Sequence, residues 1–199
     1  MNALNGQKHQ MLLGPYVCLL CFVFAFPFLS GLYPIVRFNE EQIDIHVHPD
    51  HVRVEGQYVY KNPLPFPVVQ GFSIPLPIDQ HHPRPVMVSA KVLSPKEKLL
   101  PVRYILEKYR FEMAFRANEE VCVTVHYRQQ TRAHDACYIL TTTKPWRRPL
   151  IHGTYRLIQR GVQVRSSNYA LQTYEAGALI FHKTNFMPEK DWHFAWEAV

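Results

Sequence analysis

Cysteine is scarce, with four in 199 residues, too few for a fold built on disulfides. Charged side chains make up only 19% of the chain and apolar ones 47%, a balance that excludes intrinsic disorder. Long apolar runs are missing except for one, so a polytopic membrane protein is excluded and at most one helix can span. The signatures of common chemistries are missing too: no G-x-S-x-G elbow, H-E-x-x-H helix, P-loop, dinucleotide fingerprint or C-x-x-C-H haem site. On this basis neither an enzyme nor a cofactor is expected.

The one apolar run extends from Met11 to Val36 without a charge. At about 1.5 Å per residue, roughly 20 residues cross a ~30 Å hydrocarbon core. The run exceeds the ~7–15 residues of a signal-peptide core, and Phe28-Leu29-Ser30-Gly31 makes a poor cleavage site. The expectation is a cytoplasmic tail at 1–10, an uncleaved single-pass anchor at 11–36 and an extracytoplasmic region at 37–199. Lys8 precedes the run, whereas Glu40, Glu41 and Asp44 follow it closely. That asymmetry keeps the N-terminus inside and leaves the bulk of the chain on the periplasmic face of the inner membrane. Cys18 and Cys21, inside the run, read as small apolar residues.

Beyond Arg37 the pattern has period two. Ile43, Ile45 and Val47 alternate with Asp44, His46 and His48; after Pro49-Asp50, Val52, Val54, Gly56, Tyr58 and Tyr60 alternate with Arg53, Glu55 and Gln57. This predicts a hairpin with one apolar face. Further strands are expected at Val86–Leu93, Leu99–Glu107, Tyr109–Phe115, Val121–Tyr127, Tyr138–Thr142, Gly153–Ile158 and Ala178–His182. Val102–Ala117 also permits a helix through Ile105, Leu106, Tyr109 and Met113, but its aromatic alternation favours strands. Seven of the 16 prolines fall between Pro63 and Pro85, which predicts stiff connections such as Asn62–Pro67 rather than central strands. Short strands without helix alternation predict a mainly β, antiparallel sandwich, either one body or two halves divided near 131–146.

The segments EGQYVYKNP, GFSIPLP, NEEVCVTVHY and ACYILTTTKPWRRPL, within Val52–Leu150, resemble immunoglobulin-like sandwiches of uncharacterised membrane-anchored bacterial proteins. The resemblance implies a fold and a location, and no activity.

Three groups of side chains invite chemistry. If His48 pairs with His51, then His46, His48 and His51 share the polar face of the first hairpin, where they could chelate a metal; a solvated face explains the same letters. Cys122 and Cys137 are expected to be about five residues out of register and so unbonded; the same register brings Cys137 near His126, a nucleophile–base pairing for which no third group or oxyanion donor can be named. His81 and His82 read as loop residues. From Ile35 onward there are 21 Lys+Arg against 16 Asp+Glu, with Lys144, Arg147 and Arg148 around Trp146. An anchored external domain does not meet nucleic acid, so Trp146, Arg147, Arg148, Trp192 and Trp196 are expected to touch a partner protein or the lipid bilayer. The functional expectation is a non-catalytic accessory subunit of a multi-subunit membrane complex, with respiratory or photosynthetic electron transfer as one setting. The alternative is a metal- or small-ligand-binding protein using the three histidines.

Overall fold

The computed structural model describes residues 34–199. The expected tail 1–10 and nearly all of the expected anchor 11–36, Cys18 and Cys21 included, lie outside the described residues. Among the described residues, no helix is long and apolar enough to cross a membrane.

Among the described residues, fourteen strands carry the fold. In chain order they are β1 (Arg37–Val47), β2 (His51–Lys61), β3 (Val68–Ile74), β4 (Val86–Ser94), β5 (Lys98–Leu100), β6 (Arg103–Ile105) and β7 (Lys108–Phe115). They continue with β8 (Glu120–Gln130), β9 (Asp135–Tyr138), β10 (Leu150–Gln159), β11 (Val162–Ser167), β12 (Gln172–Thr173), β13 (Leu179–Phe186) and β14 (Trp192–Ala198). Eight of them form one large sheet in the order β12-β13-β10-β1-β2-β8-β4-β5, and two three-stranded sheets, β11-β14-β9 and β3-β7-β6, accompany it. Ile35–Val199 forms a single compact unit, and the stretch 131–146 lies within it.

The hairpin β1–β2 follows from its alternation. Ile43 faces Gly56, Ile45 faces Val54 and Val47 faces Val52, while His48 N–H donates to the His51 carbonyl across the turn at 2.9 Å. The buried face of this hairpin, with Tyr155 and Leu157 of β10, packs on Trp192, Phe194 and Trp196 of β14 and on Ala136 and Tyr138 of β9. A second core joins Val121, Val123 and Val125 of β8 and Ala90 and Val92 of β4 to Phe72 and Ile74 of β3 and Phe111, Met113 and Phe115 of β7. Each fully buried side chain of this size contributes about 1.5–3 kcal/mol.

Val102–Ala117 holds strands, as its aromatic alternation favours. The structure corrects several other expectations. The sheet is not wholly antiparallel: β1 runs parallel to β10, with Glu41 opposite Gly153 and Ile45 opposite Leu157. The segment after Asp135 does not return along β8; β9 pairs with β14, and Ala136 and Tyr138 are buried with the β14 aromatics in one core. Of the strand expected at Tyr138–Thr142 only Tyr138 lies in one, at the end of β9, and a 3-10 turn begins at Thr141. Within the proline-rich stretch, Val68–Ile74 escapes the prolines and forms β3. Asn62–Pro67 is a loop clamped by the fully buried Asn62, whose Nδ2 donates to the carbonyls of Phe66 (2.8 Å) and Arg116 (2.7 Å) and whose Oδ1 accepts from Leu64 N–H.

Candidate functional site

A bulge opens β1. Phe38 pairs with Tyr60 and Glu40 with Val59, so Asn39 has no partner on β2. The extra residue shifts the alternation and turns both Phe38 and Glu41 toward the core. Glu41 is 6% exposed. Its Oε1 accepts from the Tyr138 hydroxyl at 2.7 Å and its Oε2 from the Tyr155 hydroxyl at 3.0 Å; the Tyr58 and Tyr138 hydroxyls are 2.9 Å apart. Burial pushes the Glu41 carboxyl up to about 7, although the two hydroxyls pull it down. Burial likewise raises the phenols of Tyr58, Tyr138 and Tyr155, with the Glu41 charge adding to it. Two glycines make room. A Cβ on Gly153 would meet the Tyr155 hydroxyl at 2.7 Å, and one on Gly56 would meet the Tyr58 hydroxyl at 2.3 Å. The Tyr155 ring leans over Gly153 to reach the carboxylate and the Tyr58 ring over Gly56 to reach the Tyr138 hydroxyl, an arrangement that any side chain at 56 or 153 would block.

Beside this network, at the ends of β1, β10 and β13, lies a cleft of about 580 Å³. Arg37 and Asn39 come to it from β1, Thr184 and Asn185 from β13, and His152 from β10 between them, with Arg148 just ahead of β10. Phe38, Pro149 and Ile151 supply apolar wall, and no acidic side chain lines it. A smaller cleft of about 380 Å³ is bounded by Asp135, Ser166, Asn168 and His193. Neither cleft is lined by Glu41 or its tyrosines.

The residues singled out from the sequence are placed as follows. His46, His48 and His51 share one face, but they do not converge. His46 Nε2 lies 3.8 Å from Glu55, which Arg53 also holds at 2.6 Å, while the His48 and His51 rings stack at 4.2 Å. Stacked rings direct their nitrogens side by side rather than toward one point. Among the described residues no group of three or more His, Cys, Asp or Glu side chains is arranged to hold a metal ion. Desolvation lowers the pKa of His46 and of His48. Trp192 and Trp196 are 0% and 4% exposed, so the core takes the rings expected at the surface. Trp146 is half-buried against Phe38, Tyr60 and Phe72. Arg147 and Arg148 are exposed, and Arg148 enters the large cleft.

Cys122 and Cys137 are free thiols. Cys137 sits not by His126 but opposite His193 of β14, its Sγ 3.6 Å from Nε2. Burial first, then Asp191, Asp79 and Asp135, push this thiol up to about 12, which leaves almost no thiolate nucleophile at neutral pH. His82, expected in a loop, is 8% exposed and acts as a clamp. Nδ1 lies 3.0 Å from the Asp79 carboxylate and Nε2 3.1 Å from the Asp135 carbonyl. Desolvation lowers its pKa, but the Asp79 and Asp135 contacts outweigh that and raise it.

Glu41 was missed as a site residue, yet it shares the phase of Ile43, Ile45 and Val47. An acid in step with an apolar face is the signal that finds it.

No family model matches the chain, and no curated protein does. Among solved structures, a Legionella pneumophila protein with a provisional nutrient-binding description is similar at 14% identity, TM-score 0.67, over 83% of this chain and 68% of that one. This likeness establishes a shared mainly β fold and nothing about ligands. An M1 zinc metallopeptidase from Deinococcus radiodurans aligns at 10% identity and TM-score 0.49, over 80% of this chain and 42% of that one; the chain spans less than half of that enzyme's length.

Proposed function

We propose that the chain is a non-catalytic accessory subunit of a membrane complex. In this reading the 11–36 run holds it in the inner membrane, the N-terminus is cytoplasmic, and the β unit works by contact on the periplasmic side. Its chemistry-bearing groups support this reading because they are locked away. Glu41 is buried and held by two tyrosine hydroxyls, and the Cys137 thiol is held protonated.

The observation that carries the reading is the tip of the β6–β7 hairpin. Leu106 and Glu107 have φ of +50° and +59°, a turn that ordinarily takes Asn-Gly. A leucine there is strained, and it is 79% exposed, so folding gains nothing from it. Ile105 beside it is also exposed. Tyr109 donates its hydroxyl to the Pro85 carbonyl at 2.9 Å, which brings up Met87 (78% exposed), and Arg84 lies 4.3 Å over the Tyr104 ring. Arg84, Arg103, Lys108 and Arg110 surround the apolar tip, with Glu107 the one acid of the turn. The partner face that suits it is a protein surface, apolar at its centre and acidic at its rim.

Purification of the full chain in mild detergent tests the reading. A stoichiometric companion is expected, and Leu106→Asn/Glu107→Gly should lose it while raising the unfolding temperature, since the new turn is less strained. A strictly monomeric native protein, or a variant that keeps its companion, refutes the assignment.

A further inference from the structure

We infer that the cleft at the ends of β1, β10 and β13 is a binding site for an oxyanion, phosphate or carboxylate, carried on an apolar stem. The charge is one-sided. Arg37 and Arg148 line one space of about 580 Å³ with no acidic side chain on its walls, and His152 lines it beside them. Glu40 neighbours His152 in the ladder but does not line the cleft. Elsewhere in this sheet Arg156 is paired with Asp44 and Arg53 with Glu55. Two guanidinium groups gathered without a counter-charge repel each other, and a bound anion removes that cost through bidentate hydrogen bonds that guanidinium is shaped to make.

The backbone is built to serve the same space. The β1 bulge leaves Asn39 without a ladder partner and places it at the cleft. At the opposite wall Asn185 adopts φ +49° where β13 ends, beside Thr184. These amide and hydroxyl groups are neutral donors that orient an anion between the two guanidinium groups. The apolar wall, Phe38, Pro149 and the half-exposed Ile151, has no use for a bare ion. It fits the stem of an amphiphile or of an alkylated acid, and this sets the ligand class apart from inorganic phosphate.

This site goes beyond the contact role and stands or falls separately from it, since it is assayed on the chain alone. Butyl phosphate is titrated calorimetrically into the full-length protein in a neutral detergent, with inorganic phosphate and butyrate alongside. Saturable binding of butyl phosphate, tighter than that of inorganic phosphate, is expected. Arg37→Ala/Arg148→Ala should weaken it at least ten-fold, and Lys96→Ala/Lys98→Ala, which removes the same charge from a distant turn, should not change it. If the first variant lowers the unfolding midpoint, Arg148→Gln is used under the same criterion. Displacement by phosphatidylglycerol but not by phosphatidylcholine identifies a lipid headgroup as the source; retention of butyl phosphate against both identifies a soluble acid. Absence of saturable binding, or equal weakening by the two charge-matched variants, overturns the inference.

Discussion

Glu41→Gln isolates the cost of keeping a carboxyl group in a dry core. The folded-state pKa of about 7, against an ordinary 4.5, corresponds to about 3 kcal/mol. The folded state holds the proton more tightly than the unfolded state does. Stability from this group is therefore complete below about pH 4.5 and is lost as the pH rises through 7. Glutamine keeps the shape, accepts the Tyr138 or Tyr155 hydroxyl and never ionises. The difference in unfolding free energy, variant minus wild type, should therefore rise by about 3 kcal/mol between pH 4.5 and 8.5. For a unit of this size that corresponds to about 6–12 °C in unfolding temperature. Urea unfolding of the full chain in detergent, followed by tryptophan fluorescence, reads the right part of the molecule, because Trp146, Trp192 and Trp196 all lie in the β unit. Comparing the two proteins at each pH cancels His82 and the other titrating groups. A difference constant within about 1 kcal/mol across the range would mean that Glu41 ionises freely, and the dry network would be refuted.

Gly153→Ala should cost about 1–3 kcal/mol, because the new methyl group displaces the Tyr155 ring, stacked at 4.5 Å on Phe181; adding Tyr155→Phe should not restore stability, since the ring itself is in the way. Asn62→Ala removes the hydrogen bonds to two part-buried carbonyls and one N–H and should lower stability by about 1–3 kcal/mol, measured by chemical unfolding. Cys137 should alkylate slowly at pH 8 in the folded protein and rapidly once unfolded, as followed by mass mapping of its peptide; rapid folded-state labelling would refute the protonated thiol.

How much could be read from the letters depends on the range of the interaction. The β1–β2 hairpin was legible because Ile43–Val47 and Val52–Tyr60 alternate strictly around a Pro-Asp turn, so that burying one face fixes the register. The clamp around Asn62–Pro67 announced itself as stiffness through its prolines. The parallel neighbour of β1 did not, because nothing local in Leu150–Gln159 tells which edge it will join. The same limit misplaced Cys137, whose strand finds β14 rather than the nearer β8. It also misread Trp192 and Trp196: an aromatic, amphipathic tail looks alike whether it meets a bilayer or its own core. In the cleft, Arg37 and Arg148 lie far apart in sequence, and only the β1–β10 pairing brings them together.

That pairing sets an order of events during synthesis. Glu41 meets Gly153, about 110 residues later in the chain, so one flank of the first hairpin stays open until the ribosome has made most of the protein. At ~5–20 residues per second this wait lasts roughly 5–20 s. A transcript truncated before Leu150 would leave that flank permanently bare, ready to zip onto another nascent copy.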